Sequence, residues 1–467
     1  MKKFITLFLC AILSFSVSYA YDAEVDGIYY NLIKKGKVAE VTSGSYKYSG
    51  NIQIPSTIKV DNIEYSVSFI TENAFYECSN LKSVKLPSSI KKIGRAAFIR
   101  CKQLSKINLE NSIEEIGEFA FCECISLKEI NIPTSMTKVQ MCTFENCKKI
   151  TSIELHDNIK TISKEGFYGC ELVKTLNIPA NVEYIGSSAF SMLRCLEKIE
   201  VDKRNKYFDS RNNCNAVIRT KDNSLVIGCK NTVIETSITE IDTAAFAGRR
   251  GIVSLIIPEN IKRIKYEAFM YCEDLENIQL PNTISKLEDY VFGYCTKLDN
   301  VVFPSKIKKI PCFILASCTN LKNVTIPTSV KEIDQKAFYK CTSLQNITIP
   351  ENVTLIHAEA FYGDEALENV YCYAPNPPAI YKNYDPFENA YVNYSTLYVP
   401  RSSIDAYKST FPWSNFGTIK AIEDATGIES VLRKVDTNIH IYNMNGQNIQ
   451  SPTRGINIVD GKKILVK

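Results

Sequence analysis

The stretch AAFIRCKQLSKINLE, residues 96–110, contains a pattern that returns along most of the chain. In this stretch a phenylalanine stands three positions before a cysteine and six positions before a leucine. The phenylalanine position recurs every 23 residues in two series, which are Phe75, Phe98, Phe121, Phe144, Phe167 and Phe190, and then Phe246, Phe269, Phe292, Leu315, Phe338 and Phe361. Such a period predicts stacked repeats, because one short unit cannot bury its own apolar side whereas neighbouring units share a core.

Each unit contains two short extended segments. Nine and eleven positions after the phenylalanine comes an apolar pair such as Ile130 and Ile132, often followed by proline. Because alternate residues of a strand point to opposite faces, the pair predicts a strand with one buried face that ends at the proline. An Ile-x-x-Ile step such as Ile90 to Ile93 then leads back to the next phenylalanine. The sequence therefore predicts an α/β or mainly β solenoid with a parallel sheet on one face.

The repeated Leu-x-x-Ile-x-Ile-Pro core, with an ending of Ile-Gly-x-x-Ala-Phe-x-x-Cys, resembles the leucine-rich repeats of BspA-type surface proteins. The resemblance covers residues 52–372. It implies a curved, right-handed leucine-rich-repeat solenoid that is secreted, capped at both ends, and used for adhesion rather than catalysis.

Breaks in the period divide the chain. Residues 1–20 have a basic start, an apolar stretch and small residues at the end, which predicts a secretory signal peptide. We expect an N-terminal cap at 21–50, the solenoid at 51–372 and an aromatic C-terminal cap at 373–423, in which Trp413 is buried rather than exposed for stacking. Hairpin insertions near 59–68 and 203–230 project from the solenoid, where they either bind a ligand or only decorate the surface.

The last segment, 424–467, alternates apolar and polar residues around Asn445-Gly446 and Asp460-Gly461, which predicts hairpins. At residues 441–446 and 461–467 it resembles the end of the C-terminal sorting domains of type IX secretion in Bacteroidetes, although it is shorter than those domains usually are. The segment is therefore either an export signal or a terminal cap. A working signal implies a secreted protein or one attached to the outer membrane at the cell surface.

Composition excludes several classes of protein. With 45% apolar and 23% charged residues, the chain has ample material for a core and is not disordered. The formal net charge is +4 and the charges are interspersed, so no surface for nucleic acid or an anionic membrane is expected. Beyond residue 20 no apolar run reaches ~18 residues, so we expect no transmembrane span. A monomer is expected.

Nine cysteines share the position three residues after the phenylalanine, namely Cys78, Cys101, Cys124, Cys147, Cys170, Cys272, Cys295, Cys318 and Cys341. A straight column of thiols cannot close a tetrahedral metal site. Distance alone does not exclude disulfides between repeats, but parallel side chains point the same way, so small buried thiols are the better account. The other repeats have Leu193, Arg249 and Asp364 here, and we expect the last two to be open to solvent. Cys214 and Cys229 are the candidates for a disulfide.

The outer face of the parallel sheet is the best candidate for binding. Its two columns are Asn277, Asn300, Asn323, Asn346 and Asn369, and Gln279, Thr325, Thr348 and Tyr371. Both columns lie opposite the buried pair, because strand residues alternate between faces. A wall of amides and hydroxyls suits contact with a protein or a glycan. Equally, stacked asparagines bond to one another and only support the sheet.

No catalytic constellation is evident. His156 and His357 are eight or nine repeats apart, ~40 Å on the strand spacing, and no motif of a hydrolase, zinc protease or nucleotide-binding site occurs. The sequence predicts a non-enzymatic protein without cofactor or metal, which binds proteins or glycans on host or microbial surfaces. The alternative is a secreted enzyme or glycan-processing accessory protein with its site in 202–230 or 373–416. Converging carboxylates in a deep pocket would favour the enzyme.

Overall fold

The computed structural model describes residues 21–422 and, beyond them, the backbone of four short strands. The described residues form two compact units, one within Met1–Ile307 with Pro311–Asn320 and the other within Lys308–Ile310 with Leu321–Lys467. The predicted signal peptide and the predicted turn residues of the tail lie outside the described residues. Among the described residues, no helix has the length and apolar content needed to cross a bilayer.

The first unit begins with an antiparallel meander. Its strands are β1 (Ala23–Val25), β2 (Ile28–Ile33) and β3 (Val38–Thr42). Three more strands precede the first regular repeat, β4 (Gly50–Gln53), β5 (Thr57–Val60) and β6 (Ile63–Ile70). β5 and β6 form a hairpin that turns at Asp61 and Asn62, which both have positive φ. β6 pairs in parallel with β3, and so the meander continues into the sheet of the repeats.

Each repeat of the first unit supplies a face strand, a return strand, or both. The face strands are β7 (Leu81–Lys85), β9 (Lys106–Ile107), β13 (Thr175–Ile178), β15 (Lys198–Val201), β20 (Ser254–Ile256), β22 (Asn277–Gln279) and β24 (Asn300–Val302). The return strands are β8 (Lys92–Ile93), β10 (Glu115–Ile116), β11 (Lys138–Val139), β12 (Thr161–Ile162), β14 (Tyr184–Ile185), β19 (Glu240–Ile241), β21 (Arg263–Ile264) and β23 (Lys286–Leu287). The insertion adds three antiparallel strands, β16 (Phe208–Asp209), β17 (Val217–Arg219) and β18 (Ser224–Ile227).

The second unit has the same two strand types. Its face strands are β26 (Asn323–Thr325), β28 (Asn346–Ile349), β30 (Asn369–Cys372), β32 (Thr396–Val399) and β33 (Thr418–Ala421). Its return strands are β25 (Lys309–Ile310), β27 (Glu332–Ile333), β29 (Leu355–Ile356) and β31 (Ala379–Ile380). A short helix, α1, spans Ile404–Ser409. The tail strands are β34 (Ile441–Asn443), β35 (Asn448–Ile449), β36 (Gly455–Val459) and β37 (Lys462–Val466), which pair antiparallel in the order β35-β34-β36-β37.

The core consists of columns of identical positions. Return strands pair in parallel with a 23-residue offset, as Ile93 does with Ile116. The phenylalanine rings of successive repeats lie face to face, and those of Phe98 and Phe121 are 5.2 Å apart between centroids and within 3° of parallel. The predicted solenoid with parallel sheets is therefore confirmed. In the C-terminal part Trp413 is fully buried, as expected for packing in a cap.

Candidate functional site

The outer face of the second unit's strands carries two columns of exposed or partly exposed side chains. Because the buried residues of β28 and β30 alternate with outward-pointing ones, Asn346 and Asn369 face one another across the ladder, and so do Thr348 and Tyr371. The columns continue onto β32, where Tyr398 pairs in register with Tyr371. They reach β33 at Thr418 and Lys420, which are both exposed. The result is one outward-facing surface, called here the strand face.

Neighbouring side chains on the strand face contact one another. The Asn369 Nδ2 donates to Asn346 Oδ1 at 2.9 Å, so this pair does support the sheet as well as line its surface. The rings of Tyr371 and Tyr398 stack at 4.8 Å between centroids with an angle of 12°. Burial, followed by the neighbouring Tyr398, raises the pKa of Tyr371 above its usual value, which keeps the phenol a hydrogen-bond donor. The strand face is thus pre-ordered by its own contacts.

The remaining predicted residues also lie on outward faces. Asn323 and Thr325 on β26 are exposed in the second unit. In the first unit, Asn277 and Asn300 pair in register and are exposed, and so is Gln279. Whether any of these columns binds a ligand stays a prediction.

The sequence reasoning missed Tyr398 and Lys420. Tyr398 follows Tyr371 by 27 residues and Lys420 follows Tyr398 by 22 residues, so the 23-residue period does not predict their positions. The available signal was the alternation in Thr396-Leu397-Tyr398-Val399, which repeats the pattern of Asn369 to Cys372.

The cysteine column is buried and hydrogen-bonded to the main chain. The thiols of seven of the nine cysteines contact the carbonyl oxygen of the phenylalanine position 26 residues earlier, at 3.1 to 3.5 Å, namely Cys101, Cys124, Cys147, Cys170, Cys272, Cys295 and Cys318. Burial raises their pKa values, to about 12 for Cys318. A buried thiol with a raised pKa is a weak nucleophile, and a packing role stays the prediction for these cysteines. Among the described residues, none of the nine forms a disulfide.

The expectation that the slot opens to solvent at Arg249 and Asp364 is wrong. Arg249 is only 1% exposed and Asp364 is fully buried. The Arg249 guanidinium donates to the carbonyls of Gly228 at 2.8 Å and Phe190 at 2.9 Å, so main-chain acceptors compensate its burial. Burial lowers the pKa of Arg249 to about 10. Asp364 accepts a hydrogen bond from the Cys341 N–H at 2.7 Å, and burial raises its pKa well above the usual value.

Cys214 and Cys229 are both buried free thiols in the structure. The thiol of Cys229 contacts the carbonyl of Glu197 at 3.3 Å, whereas that of Cys214 lies 3.8 Å from the hydroxyl of Ser210. The disulfide between them stays a prediction.

A family model for the BspA type leucine rich repeat region matches the chain in overlapping segments, residues 45–140, 92–217, 226–341, 262–390 and 333–445. These segments span most of the chain. The chain belongs to the BspA-type leucine-rich repeat family. No curated protein matches the chain.

Two solved structures share the fold of this BspA-type protein. A leucine rich cell surface protein from Faecalibacterium prausnitzii A2-165 is 24% identical, with 75% of this chain and 94% of that chain covered and a TM-score of 0.59. The pneumococcal vaccine antigen PcpA is 18% identical, with 85% and 98% covered and a TM-score of 0.52. At these identities the likeness shows a leucine-rich-repeat solenoid and nothing more specific.

The insertion of this BspA-type protein places its carboxylates against arginines. The ion pairs are Asp202 with Arg204 at 2.7 Å, Asp209 with Arg211 at 2.8 Å, and Asp222 with Arg219 at 3.1 Å. Hydrogen bonds from Arg204 lower the pKa of Asp202 to about 2. A glycosidase needs two carboxyl groups that converge across a cleft with different proton affinities. In the insertion, Asp202, Asp209 and Asp222 are each held by an arginine instead.

The histidines take part in local contacts. His156 Nε2 lies 2.9 Å from the carbonyl oxygen of Pro133. His357 Nε2 lies 2.5 Å from Glu332 Oε1 and 3.5 Å from Asp334 Oδ1, a cluster that the sequence reasoning missed although Asp334 and His357 are one period apart. Two carboxylates and an imidazole are ligand types that divalent metals accept. Here, however, the ammonium of Lys309 contacts Asp334 at 2.6 Å, so the cluster has its own cation.

Proposed function

We propose that this protein is a non-enzymatic surface protein that binds proteins or glycans of host or microbial surfaces through the strand face. The observation that carries the proposal is the stacked pair Tyr371 and Tyr398, which is partly exposed on columns of amides and hydroxyls. Tyrosine is enriched in protein interfaces, and its ring also stacks on sugars while its hydroxyl stays hydrogen-bonded.

The rigidity of the strand face supports a binding role. Side chains that are already held by ladder pairing and by neighbours lose little conformational freedom when a ligand arrives, so more of the contact energy appears as affinity. The pairs Asn346–Asn369 and Tyr371–Tyr398 are held in this way. The amide and hydroxyl groups at the edges of these pairs remain available for directional hydrogen bonds.

The enzyme alternative has less support. In the 202–230 insertion the aspartates are neutralised by arginines, and in the 373–416 segment Trp413 is buried and donates to the carbonyl of Pro378 at 3.2 Å.

The proposed location of the protein in the cell rests on the sequences of the two ends of the chain. The basic and apolar start of the chain favours secretion, and the tail favours sorting to the cell surface by a type IX route in a Bacteroidetes organism. The working protein in this proposal is a monomer without cofactor, which does not bind nucleic acid.

The test is a binding screen of the purified repeat protein against immobilised matrix proteins and a glycan array. The double variant Tyr371→Ala and Tyr398→Ala is expected to lose at least tenfold in affinity for any ligand found, because exposed aromatic anchors dominate interfaces. Tyr394→Ala is the matched control, since Tyr394 is 87% exposed but lies off the strand face. Absence of any ligand, or equal loss in the control, would reject the proposal.

A further inference from the structure

The return sheet of the first unit is interrupted beside β14. This strand pairs with β12 on one side and is the edge of its sheet on the other. The strands that follow in sequence, β16 to β18, form an antiparallel insertion, and β18 takes the place beside β19. β14 therefore has an open edge inside the repeat region of this unit.

Four main-chain groups at this edge lack the partners that their equivalents have one turn earlier. In that turn the carbonyl of Ile162 accepts the N–H of Gly186 at 2.8 Å, and the N–H of Phe167 donates to the carbonyl of Ala189 at 2.9 Å. These four groups, without a hydrogen-bond partner among the described residues, are the carbonyls of Glu183 and Ile185 and the N–H groups of Ser188 and Phe190. The N–H of Ile185 points to the same open side as its carbonyl, because β14 pairs with β12 through Tyr184 and Gly186. By analogy with the preceding turn, the N–H of Phe190 would donate to the carbonyl of Ala245. That carbonyl instead accepts a hydrogen bond from the N–H of Gly228.

Side-chain burial shows the same gap. Ile162 and Ile241, which occupy the same column, are fully buried, whereas Ile185 is partly exposed. A second break in the return sheet, between β10 and β11, serves as a comparison. There the column residues Ile116 and Val139 are fully buried, so that break is closed by packing. At the edge of β14, by contrast, main-chain groups lack hydrogen-bond partners and the column residue Ile185 is partly exposed.

The open edge forms one wall of a cleft with a volume of about 460 Å³. The opposite wall comes from the insertion and includes Tyr207, Arg219 and Lys221. Tyr184 and Tyr207 are 57% and 47% exposed at its rim. A cleft of this size accommodates a few residues of an extended chain.

Among the described residues, the cleft has one cation and one carboxylate without an ion pair or a side-chain hydrogen bond, Lys221 and Glu183. Arg219 is bound by Asp222 at 3.1 Å and also contacts Asp242. Lys221 lines the cleft and has no ion-pair partner among the described residues. Lys221, on the insertion side of the cleft, therefore offers an ion pair to an acidic group of a ligand.

We propose that the cleft binds an extended, acidic polypeptide segment of a partner protein, which pairs as a strand with the open edge of β14. The open edge presents two main-chain acceptors followed by two main-chain donors. Elsewhere in the unit the main chain of the next turn forms hydrogen bonds with these groups, so the backbone of an extended peptide is the matching ligand. The partly exposed Ile185 offers a contact for an apolar side chain, and Lys221 pairs with a carboxylate. This site is separate from the strand face and does not depend on the function proposed for it.

The test uses a fluorescent peptide with the sequence SIEEIGEFAF, taken from residues 112–121 of this chain. This segment pairs with the preceding turn, and its Gly117 N–H donates to the carbonyl of Ile93 at 2.9 Å. Fluorescence anisotropy with the full-length protein should show saturable binding. The same peptide with an N-methyl group on that glycine should bind at least tenfold more weakly, because one main-chain donor is lost and its acceptor stays unpaired.

Two protein variants locate the site. Ile185→Pro removes an N–H on the open side of an edge strand, where proline is tolerated, and should weaken binding about tenfold without loss of the native circular dichroism spectrum. Lys221→Glu should weaken binding of the acidic peptide and reduce its salt dependence. Lys206→Glu is the matched control, because Lys206 is exposed on the insertion but does not line the cleft.

Three outcomes would overturn the proposal. They are no saturable binding of the peptide, equal binding of the N-methylated peptide, and equal weakening by Lys206→Glu and Lys221→Glu. Binding of oligosaccharides from a glycan array that depends on Tyr184 and Tyr207, without peptide binding, would assign the cleft to a glycan instead. If Ile185→Pro fails to fold, the N-methylated peptide still decides whether main-chain pairing occurs.

Discussion

The regular turns around Phe121 and the interrupted turn at Phe190 solve the same packing problem differently. In the regular turns, the ring stacks on both neighbours and the thiol of Cys147 donates to the Phe121 carbonyl at 3.2 Å. At the interruption the slot holds Leu193, and the carbonyl of Phe190 receives its hydrogen bond from Arg249, 59 residues further along the chain. A buried acceptor must find a donor, and Arg249, which occupies the cysteine position of the next repeat, supplies it in place of a thiol.

The largest effect is expected in the regular turns. Phe121→Ala removes a fully buried ring that lies 5.2 Å and 5.5 Å from its neighbours, so the free energy of unfolding should fall by about 4 kcal/mol. Chemical denaturation followed by circular dichroism measures it. Tyr46→Ala, at a side chain 79% exposed, should change it by less than about 0.5 kcal/mol. A loss at Phe121 no larger than at Tyr46 would contradict the stacked core.

At the interruption, Arg249→Met should lower the free energy of unfolding by about 3 kcal/mol. The substitution leaves the buried carbonyls of Phe190 and Gly228 without their donor, and each unpaired group costs about 1–3 kcal/mol. Arg204→Met, at an exposed arginine paired with Asp202, is the control and should cost below about 1 kcal/mol. If Arg249→Met stabilises the protein instead, the desolvation of the guanidinium outweighs its hydrogen bonds and the account of the interruption fails.

Asp364 should give a smaller effect that depends on pH. Burial raises the pKa of its carboxyl in the folded state, so the folded state holds the proton more tightly than the unfolded chain does. Its stabilising contribution is therefore complete below the unfolded pKa and is lost as pH rises through the folded pKa. The free energy of unfolding, measured by denaturation from pH 4 upwards, should fall less steeply in Asp364→Asn than in the wild type. An identical slope in both proteins would mean that the carboxyl is not buried.

The smallest effect is expected for one thiol of the column. Cys147→Ala removes a single weak donor and a little volume, so the free energy of unfolding should fall by about 1 kcal/mol. Cys147→Ser should lose less, since a hydroxyl still donates to the Phe121 carbonyl. Alkylation of the unfolded, unreduced protein followed by mass spectrometry should label all of the column cysteines. Protection of most of them would show disulfides and contradict the packing role.

Much of the fold could be predicted because every repeat has the same pattern of apolar and polar residues. The phenylalanine period predicts the stacked rings, and the alternation around Ile130 and Ile132 predicts which face of each strand is buried. Exposure of the columns at Asn346 and Asn369 follows from the same alternation. These features depend only on neighbours one period away.

Other features depend on residues that the period does not bring together. The insertion separates Phe190 from Phe246 by two repeats plus ten residues, so the period does not predict that these two turns are neighbours, which brings Arg249 to Phe190, or that β14 loses its partner. The stacking of Tyr398 on Tyr371 is missed because the spacing between them is 27 residues. Long side chains and irregular loops satisfy main-chain groups in ways that are fixed only by the folded geometry.

Amide hydrogen exchange tests the central claim, that the turn at Phe121 is hydrogen-bonded to the next turn whereas the edge after β14 is open. Phe121 and Phe144 donate their N–H groups to Thr143 and Gly166 at 2.9 Å, and their amides should exchange slowly. The amides at Ser188 and Phe190 should exchange much faster, and the acidic peptide should slow them. Equal protection of the two regions in the free protein would contradict the open edge.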